Sequence, residues 1–95
     1  MTSPKCFSSE QHIYPIVDAA NIIRSFADNG YCILGGDILD LDFAHTYDNW
    51  FYEPISHLDN SDNIRNSVAT ALHYIDMYIK LHGTTYHVSL VPTKL

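Results

Sequence analysis

The 95-residue chain reads as an α+β domain, a small antiparallel sheet with two helices packed on one face, in the order helix, strand, strand, helix, strand. Three observations predict it. Residues 15 to 28 and 61 to 82 repeat apolar side chains at steps of three and four, the spacing of one helix face. Three shorter stretches, around residues 31–34, 47–52 and 85–91, are β-branched, aromatic or alternating, which suits strands. A chain of this length buries only roughly 65% of its unfolded surface, enough for one core. Residues 1–95 therefore form a single domain.

Residues 1–14 mix Ser, Pro, Lys and a few apolar side chains without periodicity, and read as an irregular arm with a short strand near Ile13. They contain no apolar run of the signal-peptide kind, so the chain is expected to begin here and stay in the cytoplasm. No stretch approaches the roughly 20 apolar residues of a membrane span. Pro15 suits the first turn of a helix, where its missing N–H costs nothing. Ile16, Ala19, Ala20, Ile23, Phe26 and Ala27 form that helix's apolar face, and Asn29-Gly30 should end it. Arg24 and Asp28, four apart, are placed to pair on the outer side.

The centre of the chain is residues 30 to 53. Tyr31 to Leu34 reads as a buried strand that Gly35 and Gly36 bring to an end through a bulge or sharp exit. Asp37, Asp40 and Asp42 follow in an acidic loop, and Tyr47 to Tyr52 returns as a second strand, pairing with the first as a hairpin. Trp50 reads as core, and the aromatics that alternate with it as outward. Pro54 closes the strand. After a loop over 55 to 61, Asn60 or Ser61 caps a long helix, Asp62 complements its dipole, and Ile64, Val68, Ala71, Leu72, Ile75 and Ile79 form a stripe that runs to His82-Gly83. Tyr86, Val88 and Leu90 alternate in a last strand that Pro92 should terminate.

Net charge is −6, and its distribution is uneven. No Lys or Arg lies between Arg24 and Arg65, an interval that holds Asp28, Asp37, Asp40, Asp42, Asp48, Glu53, Asp59 and Asp62. Such a field repels nucleic acid and anionic membrane and steers a basic partner; it also serves simply as a solvated face, and charge alone favours that second reading. Protonating all six histidines would bring the formal charge to zero, so the field fades below about pH 6.

Motifs for catalysis are weak. Gly35-Gly36-Asp37 with Asp40-x-Asp42 invites comparison with two-metal nucleotidyltransferases, but the three residues between Gly36 and Asp40 are too few to hold phosphate and return a strand beneath it. The same acids lack the closing Glu of a calcium loop. The histidines show no zinc spacing, Cys6 and Cys32 form no CxxC pair and read as free thiols, and no nucleophile sits in a base-paired motif. No metal and no cofactor is expected.

Ile33-Leu34-Gly35-Gly36-Asp37, then Tyr47-Asp48-Asn49-Trp50 with an aromatic after it, then Arg65-Asn66-Ser67, Ala71, Tyr74-Ile75 and Tyr78 on the helix, and finally Val88-Ser89-Leu90-Val91, resemble the immunity protein 40 family. These are bacterial immunity proteins of polymorphic, contact-dependent toxin systems. The resemblance covers roughly residues 15 to 91. It implies a cytoplasmic α+β protein that binds a cognate toxin stoichiometrically and neutralises it, with no catalysis of its own. Gly35, Gly36, Asp37 and Trp50 would then be structural, and specificity would lie in residues 39–45 and 53–59. On this reading Asp40, Asp42, Asp48, Tyr52, Glu53 and Asp59 contact the toxin, whose facing surface would be basic, as at a nuclease's substrate cleft. Two competing functions follow from the acids themselves: a divalent-metal enzyme built on Asp37, Asp40 and Asp42, and an acidic mimic of nucleic acid.

Overall fold

The computed structural model describes residues 12–95. Among these, the chain forms β1 (Ile13–Pro15), α1 (Ala19–Asp28), β2 (Tyr31–Leu39), β3 (His45–Phe51), α2 (Asn60–His82) and β4 (His87–Lys94). Every strand pairing is antiparallel, in the order β1-β4-β2-β3. The architecture is mixed α/β, two helices with a four-stranded antiparallel sheet, one strand more than the three that the alternation patterns mark. The fourth strand is β1, the short strand expected near Ile13, three residues at one edge; most of the proposed N-terminal arm, residues 1–11, lies outside the described residues.

Pro15 does not open a helix. It is extended (φ −56°, ψ 139°), ends β1, and is followed by a single 3-10 turn at Ile16–Asp18 before α1 begins. The cause is a tether: the Ile16 N–H donates to the Tyr86 carbonyl at 2.9 Å, tying this corner to the approach of β4. Gly30, at φ 86°, turns the chain out of α1 in the left-handed region that suits glycine. Arg24 and Asp28 do not pair. The ion pairs among the described residues are Arg65–Asp62 and Lys80–Asp76, both exposed along α2.

Gly35 and Gly36 do not end the strand either; β2 runs through them to Leu39. The expected bulge is present, as a shift in register against β4 between Ile33 and Gly36, but pairing resumes beyond it. These positions are glycine because Trp50 lies across them. A Cβ on Gly36 would fall 2.6 Å from Trp50 Cζ3 and 3.0 Å from the Ser89 carbonyl, and one on Gly35 would strike the Trp50 backbone.

Both helices contact β2 and each other, and the core lies where they meet the sheet. Ile16, Ile23, Ile33, Ile38, Ala71 and Val88 are fully buried, each large aliphatic side chain contributing about 1.5–3 kcal/mol. Two polar residues interrupt the apolar seam of α2. Ser67 Oγ accepts the Ile33 amide at 3.0 Å and donates to the Ile64 carbonyl at 2.8 Å. Cys32, a buried free thiol, packs 4.0 Å from the carbonyl of the other, Asn63.

Pro92 does not terminate β4, which continues to Lys94. Leu90 donates its amide to His12 on the β1 side at 2.9 Å, so the nitrogen two residues later faces the same way. It falls beyond the last residue that β1 pairs, where a missing N–H breaks no ladder bond among the described residues.

Candidate functional site

β3 is the opposite edge of the sheet, and its sequence divides between the two faces. Trp50 is buried and stacks on Tyr74 of α2 at 5.0 Å, whereas Phe51 is 77% exposed and Tyr47 88%. Tyr47 is also held at φ 69°, a conformation that is uncommon for a bulky side chain. The register against β2 shifts here, between Asp37 and Leu39. Thr46 fills the irregularity, its hydroxyl donating to the Ile38 carbonyl at 2.9 Å and accepting the Asp48 amide at 3.2 Å. The backbone is thus bent so that the Tyr47 ring stands in solvent.

The loop from β2 to β3 is built on Asp40. One of its carboxylate oxygens accepts the amides of both Asp42 and Ala44 at 2.9 Å, and its backbone pairs with Ala44 and Phe43. Phe43, at φ 65°, packs its ring 4.3 Å from that of His87 while remaining 56% exposed. Asp42 projects from this loop into solvent, its carboxylate without a partner among the described residues.

Beyond β3 the loop to α2 is pinned by Asn63, buried in the first turns of the helix. Its side-chain oxygen accepts the Tyr52 hydroxyl at 2.7 Å and the Ile55 amide at 2.8 Å, and its amide group donates to the Ile55 carbonyl at 3.0 Å. Asp59, rather than Asn60 or Ser61, caps α2, its carboxylate accepting the Asp62 amide at 2.8 Å. Glu53 is exposed.

The far half of α2 overlies β3. Tyr78 donates its hydroxyl to Asp48 at 2.8 Å, and burial together with that carboxylate pushes its pKa up to about 12. Burial, then the Asp48 charge, also raises Tyr74. Asp48, Tyr74, Met77, Tyr78, Leu81 and His82 line a groove of about 200 Å³ between strand and helix. A larger one, about 580 Å³, lies between α1 and the start of α2, and Arg24 and Arg65 line it.

The six residues expected to touch a partner therefore separate. Asp42 and Glu53 are exposed and unencumbered; Asp48 is exposed but serves as a strut to α2; Asp40 and Asp59 spend carboxylate oxygens on backbone amides; Tyr52 is half-buried with its hydroxyl taken by Asn63. Asp37 sits half-buried in the ladder between Asn49 and Ser89, away from the turn that Asp40 makes. Among the described residues no three His, Cys, Asp or Glu side chains gather as a metal-ligand set. The residues missed are Met77 and Leu81, 41% and 71% exposed. Four apart and off the buried stripe of α2, they carry a signal that the helical spacing contained.

A family model for immunity protein 40 matches residues 7–92. The chain belongs to the immunity protein 40 family. Membership makes it an immunity protein, and the partner of such a protein is a cognate toxin. The match begins upstream of β1 and ends within β4, so it takes in both helices, β1 to β3 and most of β4. Comparison with curated proteins and with solved structures finds no match. No helix of the described residues is long and apolar enough to cross a membrane.

Proposed function

We propose that this immunity protein neutralises its toxin as a stoichiometric, non-catalytic inhibitor in the cytoplasm, binding through the surface made by β3 and the two loops that flank it. The observation that carries the reading is the exposure of Tyr47 and Phe51, 88% and 77%, on a strand bordered by Asp42, Asp48 and Glu53. Exposed aromatics are enriched at interface centres because they bury large area at low entropic cost, and a rim of one charge steers a complementary partner and speeds association. No Lys or Arg between Arg24 and Arg65 offsets that rim. The toxin's facing surface is accordingly basic, as a nuclease's substrate cleft is. Asp40, Tyr52 and Asp59 hold the loops in shape and act on the partner mainly through that shape and through charge.

The test is co-purification of a tagged copy with the product of the adjacent upstream gene, followed by titration of affinity at low and high salt. A one-to-one complex that weakens with salt supports the acidic surface. Tight binding indifferent to salt would move the interface onto the aromatics alone, and absence of a complex would overturn the proposal.

A further inference from the structure

We propose that the outer edge of β3 receives an extended segment of the toxin as a fifth antiparallel or parallel strand, seated under the overhang of α2. The inference rests on the toxin-binding reading above and specifies its mode. Tyr52 donates its amide to the Leu34 carbonyl at 2.7 Å, and Trp50 lies opposite Gly36 two residues earlier. Alternation then turns the amides and carbonyls of Asn49 and Phe51 outward, away from β2. β3 is last in the sheet order, and no described element pairs along that side.

Exposed edges are usually blunted by Lys, Pro or a bulge, because unpaired backbone groups recruit other strands. β3 contains neither Lys nor Pro. Its irregularity is confined to the Tyr47 end, and the strand ends at Phe51 with Tyr52 still bonded to β2, leaving a regular window at 48–52. At its Asp48 end the window opens on the groove that Met77 and Leu81 of α2 also line. A strand added here would turn alternate side chains toward the exposed Met77 and Leu81, and its opposite set beside Phe51. Such addition draws affinity from main-chain hydrogen bonds and specificity from alternate side-chain pockets.

Charge selects the occupant. A second copy of β3 would bring like acids, Asp48 and Glu53, against one another, which is destabilising across strands. The fitting segment is extended, apolar toward α2, and carries Lys or Arg near Asp48 and Glu53.

The experiment compares Asn49→Pro with Asn49→Ala, using the product of the adjacent upstream gene as the probe. Both variants lose the Asn49 side chain and its bond to the Tyr47 carbonyl; only proline also removes the outward amide. Proline is expected to weaken binding by roughly tenfold to a hundredfold relative to alanine, the loss of one buried hydrogen bond with its partner left unpaired. Hydrogen exchange supplies an independent measure: the amides of Asn49 and Phe51 should exchange fast in the free protein and become protected in the complex. If wild type binds, proline equals alanine and the amides stay unprotected, the edge proposal is overturned while toxin binding stands. If wild type does not bind, both fall. Protection already present in the free protein, or a dimer by light scattering, would overturn it in favour of self-cover. Should the proline variant unfold, the exchange result on wild type decides.

Discussion

The Tyr78 hydroxyl and the Asp48 carboxylate meet at 2.8 Å, so the edge strand is bolted to α2 by the same acid that contributes to the exposed charge. Stability should consequently depend on alkaline pH. The Tyr78 pKa is about 12 in the fold against 10.0 when unperturbed, chiefly through burial and secondly through Asp48. A raised pKa means that the folded state holds the proton where the unfolded state has lost it. The contribution is whole below pH 10 and disappears as pH climbs toward 12. Urea melts at stepped pH should show this decline, and Tyr78→Phe should flatten it.

Asn63→Ala should be among the most damaging single changes outside the apolar core. It strips partners from the Tyr52 hydroxyl and from both polar groups of Ile55. A loss of about 2–3 kcal/mol is expected, from leaving half-buried groups unsatisfied. Asn63→Asp keeps the acceptor but forfeits the donor and adds a buried charge, and should not rescue. Denaturant unfolding reads both.

Gly36→Val should destabilise by about 2–4 kcal/mol, as overpacking in a filled core does, because the new side chain must displace Trp50. Tryptophan fluorescence distinguishes this from a backbone effect: the emission of the single Trp should shift to the red in the folded variant. An unshifted spectrum with lowered stability would contradict the role given to Gly36.

Charge reversal should separate loop shape from loop charge. Asp42→Lys with Glu53→Lys alters two exposed carboxylates and should leave stability within about 0.5 kcal/mol while weakening toxin binding and its salt dependence. Asp40→Lys should instead lower the melting temperature, since it removes the acceptor for the Asp42 and Ala44 amides. Thermal melts beside affinity titrations check the pair.

The parts legible in the sequence were those governed by periodicity. Helix α2 announces itself because Ile64, Val68, Ala71 and Ile75 recur on one face, and Gly83 stops it at φ 93°. Gly35-Gly36 misleads because paired glycines signal a stop by local propensity, whereas here they make room for a ring that arrives from residue 50. Pro92 misleads because its harm depends on which side its nitrogen faces. Asn63 and Ser67 look like solvent-facing polar residues in the N-terminal part of the helix; their burial comes from β2 and the 52–59 loop, neither of which spacing along the helix reveals. At the site, the acids were readable as a field but not as individuals. Whether a carboxylate faces a partner or caps a helix, as at Asp59, is decided by loop geometry.

The exposure pattern of β3 also governs which changes the protein can absorb. Of its last three residues, Trp50 is locked between Gly36 and Tyr74, while Asn49 and Phe51 on either side stand in solvent. Exposed side chains exchange for others at little cost in folding, and buried aromatics do not. Mutational tolerance along this strand should alternate with a period of two; on the proposed binding mode, single substitutions at positions 49 and 51 then let the surface follow a drifting toxin while the scaffold beneath them stays as it is.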